Sequence, residues 1–286
     1  MTKVLLTGAG GQLGTDVVAA ASRHRDIELA AFSRSDLDIT NDEAVAETFA
    51  EVQPDVVIHA AAYTAVDDCE SNEDLAHSVN STGTANVVRA ARKENARVIY
   101  VSTDYVFDGS KPEPYLESDV PNPTSVYGAS KLAGERHVAE LGEDGLVVRT
   151  SWVCGSHGSN MVKTIMRAAD AYPQLTFVDD QVGKPTFTAD LADALLTLAS
   201  RQDHGIMHVT NEGVVSWFEF CQRVLTEMGR DSSQVVPCTT SELQPPRPAP
   251  RPANSVLANT RFAELGLPLL RDFAEPLSET VRDLTK

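Results

Sequence analysis

Residues 3–14 of the chain read KVLLTGAGGQLG, a short apolar run followed at once by a glycine-rich turn. Residues 16–22 then have the composition of a helix with apolar side chains on one side. A strand, a glycine-rich turn and a helix in that order are the context of a dinucleotide-binding fingerprint. Gly8, Gly11 and Gly14 let the backbone approach a pyrophosphate, whose charge the first N–H groups of the helix can bind. The G-x-x-G-x-x-G spacing is also compatible with a turn that binds nothing.

Apolar runs alternate with helical stretches through the first half of the chain. The sequence predicts strands at 27–32, 55–60, 98–102 and 146–150, a long helix over 73–95 and another helix that contains Tyr127. Thr40 and Glu43 form a capping-box pattern, which predicts the start of a helix with Thr40 as its cap. This alternation is typical of an α/β protein with a doubly wound, parallel, Rossmann-like sheet covered by helices.

The second half of the chain departs from this rhythm after about residue 151. Strands are expected at 175–178 and 206–209, and helices at 190–200 and 217–228. We expect a dinucleotide-binding domain over 1–150, completed by a segment within 176–212, and a smaller mixed α/β domain over 151–286 that mainly binds the substrate. The proline-rich run at 245–252 is either a stiff surface linker or a segment whose arginines reach a diphosphate.

Four segments follow predicted strands, where a doubly wound sheet binds its ligands. They are Gly8–Gly14, Ser33–Arg34, Ala60–Thr64 and Ser102–Tyr105, and we expect them to converge on one crevice. An arginine at the end of the second strand accommodates the extra phosphate of NADP, whereas an acidic residue there favours NAD. Arg34 therefore favours NADPH, with NADH kept as a second cofactor.

Tyr127 and Lys131 are four residues apart on a predicted helix, so the phenol and the ammonium share one face. A tyrosine ordinarily ionises near pH ~10, and an adjacent positive charge lowers that pKa. The pair suits a tyrosine that exchanges a proton with a substrate oxygen. A tyrosine and a lysine at this spacing also arise often by chance. The pair therefore indicates a catalytic role only because it is expected to lie beside the crevice.

The overall composition excludes several classes of function. With 41 acidic and 24 basic residues the formal net charge is -17, which argues against partners such as nucleic acid or an anionic membrane. The four cysteines form no C-x-x-C pair, and the seven histidines form no H-x-x-x-H or H-E-x-x-H pattern, so we expect no metal. No apolar run approaches ~20 residues, and we expect a soluble, cytoplasmic protein.

Several further motifs resemble the extended short-chain dehydrogenase/reductase family and, within it, the dTDP-4-dehydrorhamnose reductases. They run through nearly the whole chain: GQLG at 11–14, LDI at 37–39, AAAYTAVD at 60–67, STDYVFDG at 102–109, VYGASKLAGE at 126–135, RTSWV at 149–153, DQVGKPT at 180–186 and RPANS at 251–255. The resemblance implies reduction of the C4 ketone of dTDP-4-dehydro-L-rhamnose to dTDP-L-rhamnose. This is the last step in making an activated sugar for surface polysaccharides.

The resemblance also implies a role for each matching residue. Tyr127 protonates the C4 oxygen, Lys131 holds the nicotinamide ribose and depresses the Tyr127 pKa, and Thr103 bonds the reacting oxygen. Substrate contacts are expected from Thr103, Asp104, Trp152, Asn160 and Arg251. Trp152 would stack on thymine or sugar, although a half-buried core tryptophan explains it equally well. The expected cofactor-binding residues are Gly8, Gly11, Gln12, Leu13, Gly14, Ser33, Arg34, Asp38, Ile39, Ala60, Ala62, Tyr63, Thr64, Val101, Tyr127 and Lys131.

Three alternatives and one departure from the family pattern remain open. Another nucleotide-sugar 4-reductase, an epimerase or dehydratase of the same fold, and a non-catalytic NADP-binding regulatory subunit would share much of this sequence. Some relatives dimerise around a magnesium ion bridged by glutamates. Here Asp16 stands near one of those positions and Ala189 at the other, so we expect no metal. The protein is expected to be a monomer or a homodimer.

Overall fold

The computed structural model describes all residues, 1–286, and contains a six-stranded parallel sheet with helices on both faces. The strands are β1 Thr2–Thr7, β2 Ile27–Phe32, β3 Val56–His59, β4 Arg97–Thr103, β5 Gly145–Thr150, β6 Val153–Cys154, β7 Leu175–Val178, β8 Val182–Gly183, β9 Thr186–Phe187, β10 Gly205–His208, β11 Val215–Ser216 and β12 Val235–Cys238. The helices are α1 Gln12–Ala21, α2 Asp42–Val52, α3 Val66–Ser71, α4 Glu73–His77, α5 Thr84–Glu94, α6 Val126–Ala139, α7 Met161–Ala171, α8 Thr188–Ala199, α9 Trp217–Glu227, α10 Thr260–Glu264 and α11 Ala274–Leu284.

The main sheet has the strand order β2-β1-β3-β4-β5-β10, and every neighbouring pair is parallel. From β1 the chain moves one way to β2 and then the other way to β3, so the order reverses between β1 and β3. Such a switch point opens a crevice beyond the carboxyl ends of the strands. The prediction of a doubly wound parallel sheet is confirmed, and the predicted strands agree with the observed ones to within two residues.

Apolar side chains cover both faces of this sheet, as expected for parallel strands. On one face α1 and α8 pack against the strands through side chains such as Val17 and Leu195. On the other face α2, α5 and α6 contribute Phe49, Val87 and Val138. Because both faces are closed, the strand ends are the part of the sheet where a ligand can enter.

The second half of the chain builds a separate apolar cluster from α7, α9 and α11 together with β7 and β12. Its small sheets pair β8 with β11, β7 with β12 and β6 with β9. Helix α8 and strand β10 instead return to the main sheet. We propose that the dinucleotide-binding domain comprises 1–150, completed by the segment within 176–212, and that the rest of 151–286 forms the substrate-binding domain.

Two local predictions need correction. The cap of α2 is Asn41, whose side chain accepts from the Ala44 N–H at 3.2 Å, and not Thr40. Asp38 accepts both the N–H and the hydroxyl of Thr40, at 3.0 and 2.8 Å, and so holds Thr40 in the preceding turn. The helix predicted over 73–95 is also not regular, because Ser78–Gly83 forms a π-helix between α4 and α5.

Candidate active site

A cavity of about 430 Å³ lies at the switch point between β1 and β3. The lining residues predicted from the sequence include the glycine turn, Arg34, Asp38 and Ala60–Tyr63. Gly8 has a φ of +78°, and a Cβ there would lie 2.7 Å from the Ala61 nitrogen, so only glycine fits. Helix α1 begins here without a side-chain cap. Its first N–H groups are thus available to a pyrophosphate.

The end of β2 presents an arginine without an acidic partner. Ser33 donates both its N–H and its hydroxyl to Asp36, at 2.9 and 2.6 Å, which lowers the pKa of that carboxyl. Asp38 likewise accepts hydrogen bonds from the N–H and the hydroxyl of Thr40. Arg34 is exposed and forms no ion pair within the chain. Its guanidinium is therefore free to bind an additional phosphate at the rim of the cavity.

Asn80 in the π-helix is a site residue that the sequence did not indicate. Its side chain accepts from the Tyr63 N–H at 2.8 Å and donates to the Tyr63 carbonyl at 3.0 Å. It also donates to the Ser130 hydroxyl at 3.0 Å, on the helix that carries Tyr127. A π-helical turn often marks a functional site. Here it lets one buried amide join a lining residue of the cavity to the helix that carries Tyr127, which residue type alone does not reveal.

Helix α6 carries Tyr127 and Lys131, and its N-terminus is firmly held. Ser125 caps the helix by accepting from the Gly128 N–H at 3.1 Å, and Glu70 accepts from the Val126 N–H at 2.9 Å. Tyr127 is buried and lines neither of the two cavities of the site, but side chains from both linings pack against the small apolar cluster that contains it. Tyr63, which lines the cofactor-sized cavity, and Tyr105, which lines the second cavity, both pack around it.

Thr103 and Lys131 are the two other residues that the sequence predicts to take part in the reaction. The Thr103 hydroxyl donates to Asp104 Oδ1 at 2.9 Å and accepts from the Tyr105 N–H at 3.2 Å, and it lies close enough to the Tyr127 phenol to lower its pKa. Lys131 donates to the Val101 carbonyl at 2.7 Å, and its Nζ lies 3.9 Å from the centre of the Tyr100 ring.

The pKa values in this group are set by burial. Burial raises the pKa of Tyr127, and the Thr103 hydroxyl acts in the opposite direction. Burial also lowers the pKa of Lys131 to about 7, against an opposing effect of Glu135. Lys131 is not among the groups that shift the Tyr127 pKa here, and its ammonium is directed at the Val101 carbonyl. That Lys131 depresses the Tyr127 pKa stays a prediction.

A buried ion pair beneath Lys131 fixes α6 to the sheet. Glu135 accepts from Arg149 at 2.9 and 2.7 Å and from the Ser102 hydroxyl at 2.6 Å. All three side chains are buried, and the guanidinium lies 5.1 Å from the Phe107 ring. The pair joins α6 to β4 and β5 one helical turn from Lys131. Its members are 14 positions apart and lie in two of the quoted motifs, but the motifs alone did not indicate that they pair.

A second cavity of about 280 Å³ lies beside Tyr105, on the side of the C-terminal apolar cluster. Its lining combines apolar and cationic side chains, including Met161, Phe177, Trp217, Arg247 and Arg251. Asp104 is buried next to the lining residue Tyr105 and accepts from the Thr103 hydroxyl. Burial raises the pKa of Asp104 to about 6, and its Oδ2 has no hydrogen-bond partner.

Trp152 is packed against other residues of the chain. The ring stacks on Trp217 with 3.5 Å between the ring centres and 5° between the planes. A Cβ added to Gly183 would overlap the Nε1–Cε2–Cζ2 edge of the indole, so the Gly183 backbone also lies against the ring. Trp152 has a left-handed φ of +46° and does not line either cavity. Trp217, which the sequence did not single out, lines the second cavity instead.

Asn160 also lies outside the lining of both cavities. It caps α7 by accepting from the Lys163 N–H at 3.2 Å, and its amide donates to the Gly155 carbonyl at 2.7 Å. A longer contact of 3.4 Å reaches Gln12 in the glycine turn. The side chain therefore ties the loop before α7 to the cofactor-sized cavity.

No cluster of three or more His, Cys, Asp or Glu side chains is arranged to hold a metal ion. Asp16 lies 3.5 Å from the His157 ring nitrogen. The absence of a structural metal stays a prediction. No helix combines the length and the apolar character needed to cross a membrane.

Comparison with known proteins gives consistent matches over the whole chain. Residues 1–286 match the family model described as the RmlD substrate binding domain. The dTDP-4-dehydrorhamnose reductase of Mycobacterium tuberculosis is 44% identical over 96% of this chain and 91% of its own. A crystal structure of a dTDP-4-dehydrorhamnose reductase from Clostridium acetobutylicum is 40% identical, with a TM-score of 0.94 and coverage of 99% and 100%. The Bacillus anthracis enzyme in complex with NADP is 36% identical, with a TM-score of 0.93 and 99% coverage of both chains.

Proposed function

The chain belongs to the dTDP-4-dehydrorhamnose reductase family, and we propose that it catalyses the NADPH-dependent reduction of dTDP-4-dehydro-L-rhamnose to dTDP-L-rhamnose. The observation that carries the proposal is that the Tyr127 cluster packs against one lining residue of each of two cavities, Tyr63 and Tyr105. One cavity is shaped by a glycine turn and a free arginine, and the other by aromatic and cationic side chains. A cofactor in the first and a nucleotide sugar in the second would meet at the phenol.

The first cavity fits NADPH. Only glycine can occupy position 8, uncapped N–H groups face the cavity, and Arg34 has no internal partner. We assign the pyrophosphate to Gly8–Gly14, the 2′-phosphate to Ser33 and Arg34, and the adenine to Asp38 and Ile39. The nicotinamide half is assigned to the remaining predicted residues: Ala60, Ala62, Tyr63, Thr64, Val101, Tyr127 and Lys131. NADPH bound there supplies the hydride for the C4 carbon of the sugar.

Tyr127 acts as the acid in this mechanism. As the C4 carbonyl carbon is reduced, its oxygen gains negative charge, and the phenol donates its proton to give the hydroxyl. The raised pKa of Tyr127 keeps that proton on the phenol until charge develops. Thr103 bonds the reacting oxygen and the phenol. Lys131 stabilises the phenolate that remains and orients the nicotinamide ribose, and the phenol then regains a proton from solvent.

The second cavity suits a nucleoside diphosphate sugar. Arg251 and Arg247 provide positive charge for the diphosphate, and a guanidinium can bind two phosphate oxygens at once. Trp217 offers a flat apolar surface for the base, with Trp152 stacked behind it as support. Asp104 Oδ2 is buried and has no hydrogen-bond donor within the chain. Because buried polar atoms are normally hydrogen-bonded, we assign a hydroxyl group of the sugar as its donor.

Other proteins of this fold remain alternatives. A dehydratase needs an additional acid/base pair beside Thr103, and Asp104 is the one carboxylate that contacts it. A regulatory NADP-binding subunit would have no need for Thr103, Tyr127 and Lys131 together. We further propose that the enzyme works in the cytoplasm, where NADPH and nucleotide sugars are made, as a monomer or a homodimer.

The test is NADPH oxidation by purified protein supplied with dTDP-4-dehydro-L-rhamnose generated in situ. Tyr127→Phe should reduce turnover at least ~100-fold, since a positioned acid contributes that much, while NADPH binding changes little. Tyr172→Phe, on an exposed tyrosine, is the matched control and should behave as wild type. Undiminished turnover of the Tyr127 variant would contradict the proposed acid. Tight NADPH binding without turnover of any 4-keto sugar would favour the regulatory subunit.

A further inference from the structure

The proline-rich segment at 245–252 is tied to the N-terminal half of the molecule through Asp67, the second residue of α3. Asp67 Oδ1 accepts from Arg251 Nη1 at 2.5 Å, and Oδ2 accepts from Nη2 at 2.8 Å. The Ala249 N–H donates to the same carboxylate at 3.2 Å, and Arg247 lies 3.7 Å away. The carboxylate is 28% exposed and the Arg251 side chain 17%, so the pair is largely shielded from solvent.

The contacts of Arg251 leave one edge of its guanidinium without a carboxylate or carbonyl partner. A guanidinium has five N–H donors. Both donors of Nη1 are used, one by Asp67 and one by the Ala249 carbonyl at 2.7 Å, and one donor of Nη2 is used by Asp67. The Nε–H and the second Nη2–H remain, and these two point in parallel from the same edge. That pair of donors matches two oxygens of a phosphate.

This free edge belongs to a residue that lines the substrate cavity. The Tyr105 phenol lies beside the guanidinium. Burial raises the pKa of Tyr105 to about 12, and Arg251 acts in the opposite direction. Tyr105 in turn meets the Tyr127 ring edge-on, with 5.5 Å between the ring centres. Asp67 lies four residues after Tyr63, the last residue of the segment Ala60–Tyr63 that lines the cofactor cavity. The carboxylate thus joins the cofactor wall to the substrate wall.

We propose that Asp67 is a positioning residue for substrate recognition, because it holds the inner edge of Arg251 so that the outer edge binds the diphosphate. The inference rests on the proposed function. Without the carboxylate the long arginine side chain would sample other rotamers, and part of the binding free energy would be spent on ordering it. Asp67 makes no contact with the reacting atoms, so its effect should fall on diphosphate affinity rather than on the chemical step.

The experiment measures binding of dTDP and of thymidine to the full chain by calorimetry. Asp67→Asn keeps the size of the side chain but accepts from only one Nη. We expect roughly tenfold weaker dTDP binding, the range for hydrogen bonds to charged groups, with thymidine and NADPH binding unchanged. In turnover, KM for the dTDP-sugar should rise and kcat stay within about twofold. Asp68→Asn, the exposed neighbour on α3 without an ion pair, should match wild type.

A double-variant cycle separates positioning from general damage. Arg251→Ala should weaken dTDP binding on its own, and adding Asp67→Asn should then have no further effect. Tighter dTDP binding by Asp67→Asn would overturn the inference, because the carboxylate would then compete with the diphosphate. Unchanged dTDP binding, equal losses for dTDP and thymidine, or additive effects in the cycle would overturn it as well. A wild type that binds no dTDP would contradict the proposed substrate itself.

Discussion

Replacing the buried Lys131 by methionine should change how the stability of the cofactor-free protein depends on pH. The lysine is 2% exposed, and burial lowers its pKa from 10.5 to about 7. Since a tenfold change in proton affinity corresponds to about 1.4 kcal/mol, the buried charge costs roughly 5 kcal/mol at low pH. The contacts to the Val101 carbonyl and the Tyr100 ring hold the ammonium in place but do not remove this cost.

The sign of the effect follows from proton binding. Between about pH 7 and pH 10.5 the unfolded chain keeps the lysine protonated while the folded protein does not, so stability rises with pH across that window. Relative to Lys131→Met, the wild type should therefore gain roughly 2.5 kcal/mol between about pH 6 and about pH 9. The variant retains the apolar stem but lacks the titrating group.

The assay is urea unfolding of both proteins, freed of cofactor, at a series of pH values. The exposed Lys93 on α5 supplies the control, because Lys93→Met leaves every buried charge in place and should follow the wild-type curve. Parallel stability curves for wild type and Lys131→Met would refute the reasoning. They would mean that the ammonium keeps its proton in the folded protein as readily as in water.

Three further outcomes follow from the site. Arg34→Ala should weaken the binding of NADPH at least ~10-fold more than the binding of NADH, as measured by fluorescence titration. Equal losses of affinity would mean that Arg34 does not bind the 2′-phosphate. Trp217→Ala should weaken the binding free energy of thymidine by roughly 1–3 kcal/mol, as for a base stacked on an aromatic ring. Trp152→Phe should weaken it less, and the reverse order would mean that the base stacks on Trp152. Glu135→Gln should lower the free energy of unfolding by about 3–5 kcal/mol, because Arg149 stays buried without its partner. A loss below about 1 kcal/mol in urea titration would contradict that buried pair.

The main sheet could be predicted from the sequence because its strands are short apolar runs bounded by turn residues. Strand β2 was predicted with its observed bounds, and β1 and β5 to within one residue. The cap of α2 could not be predicted, since Thr40 and Asn41 are both good caps and Asp38 decides between them through its own hydrogen bonds. The π-helix depends on packing of Asn80 against Tyr63 and leaves no periodic pattern.

The candidate site was predictable where function depends on adjacent residues. The glycine turn and the Tyr127–Lys131 pair are local motifs, whereas the partners of Arg251 and Trp152 lie 184 and 65 positions away along the chain. The left-handed backbone of Trp152 turns its ring behind Trp217, and the residue type alone does not predict that conformation. Burial, which decides the pKa values of Tyr127 and Lys131, is likewise a property of the folded chain.

The most direct test of the central claim is the fate of deuterium from NADPH deuterated at C4 of the nicotinamide, with dTDP-4-dehydro-L-rhamnose as substrate. We expect NMR of the product to show deuterium at C4 of a sugar with the L-rhamnose configuration, and Tyr127→Phe to form almost none of it. Product without deuterium at C4, or with the opposite configuration at that carbon, would contradict the account.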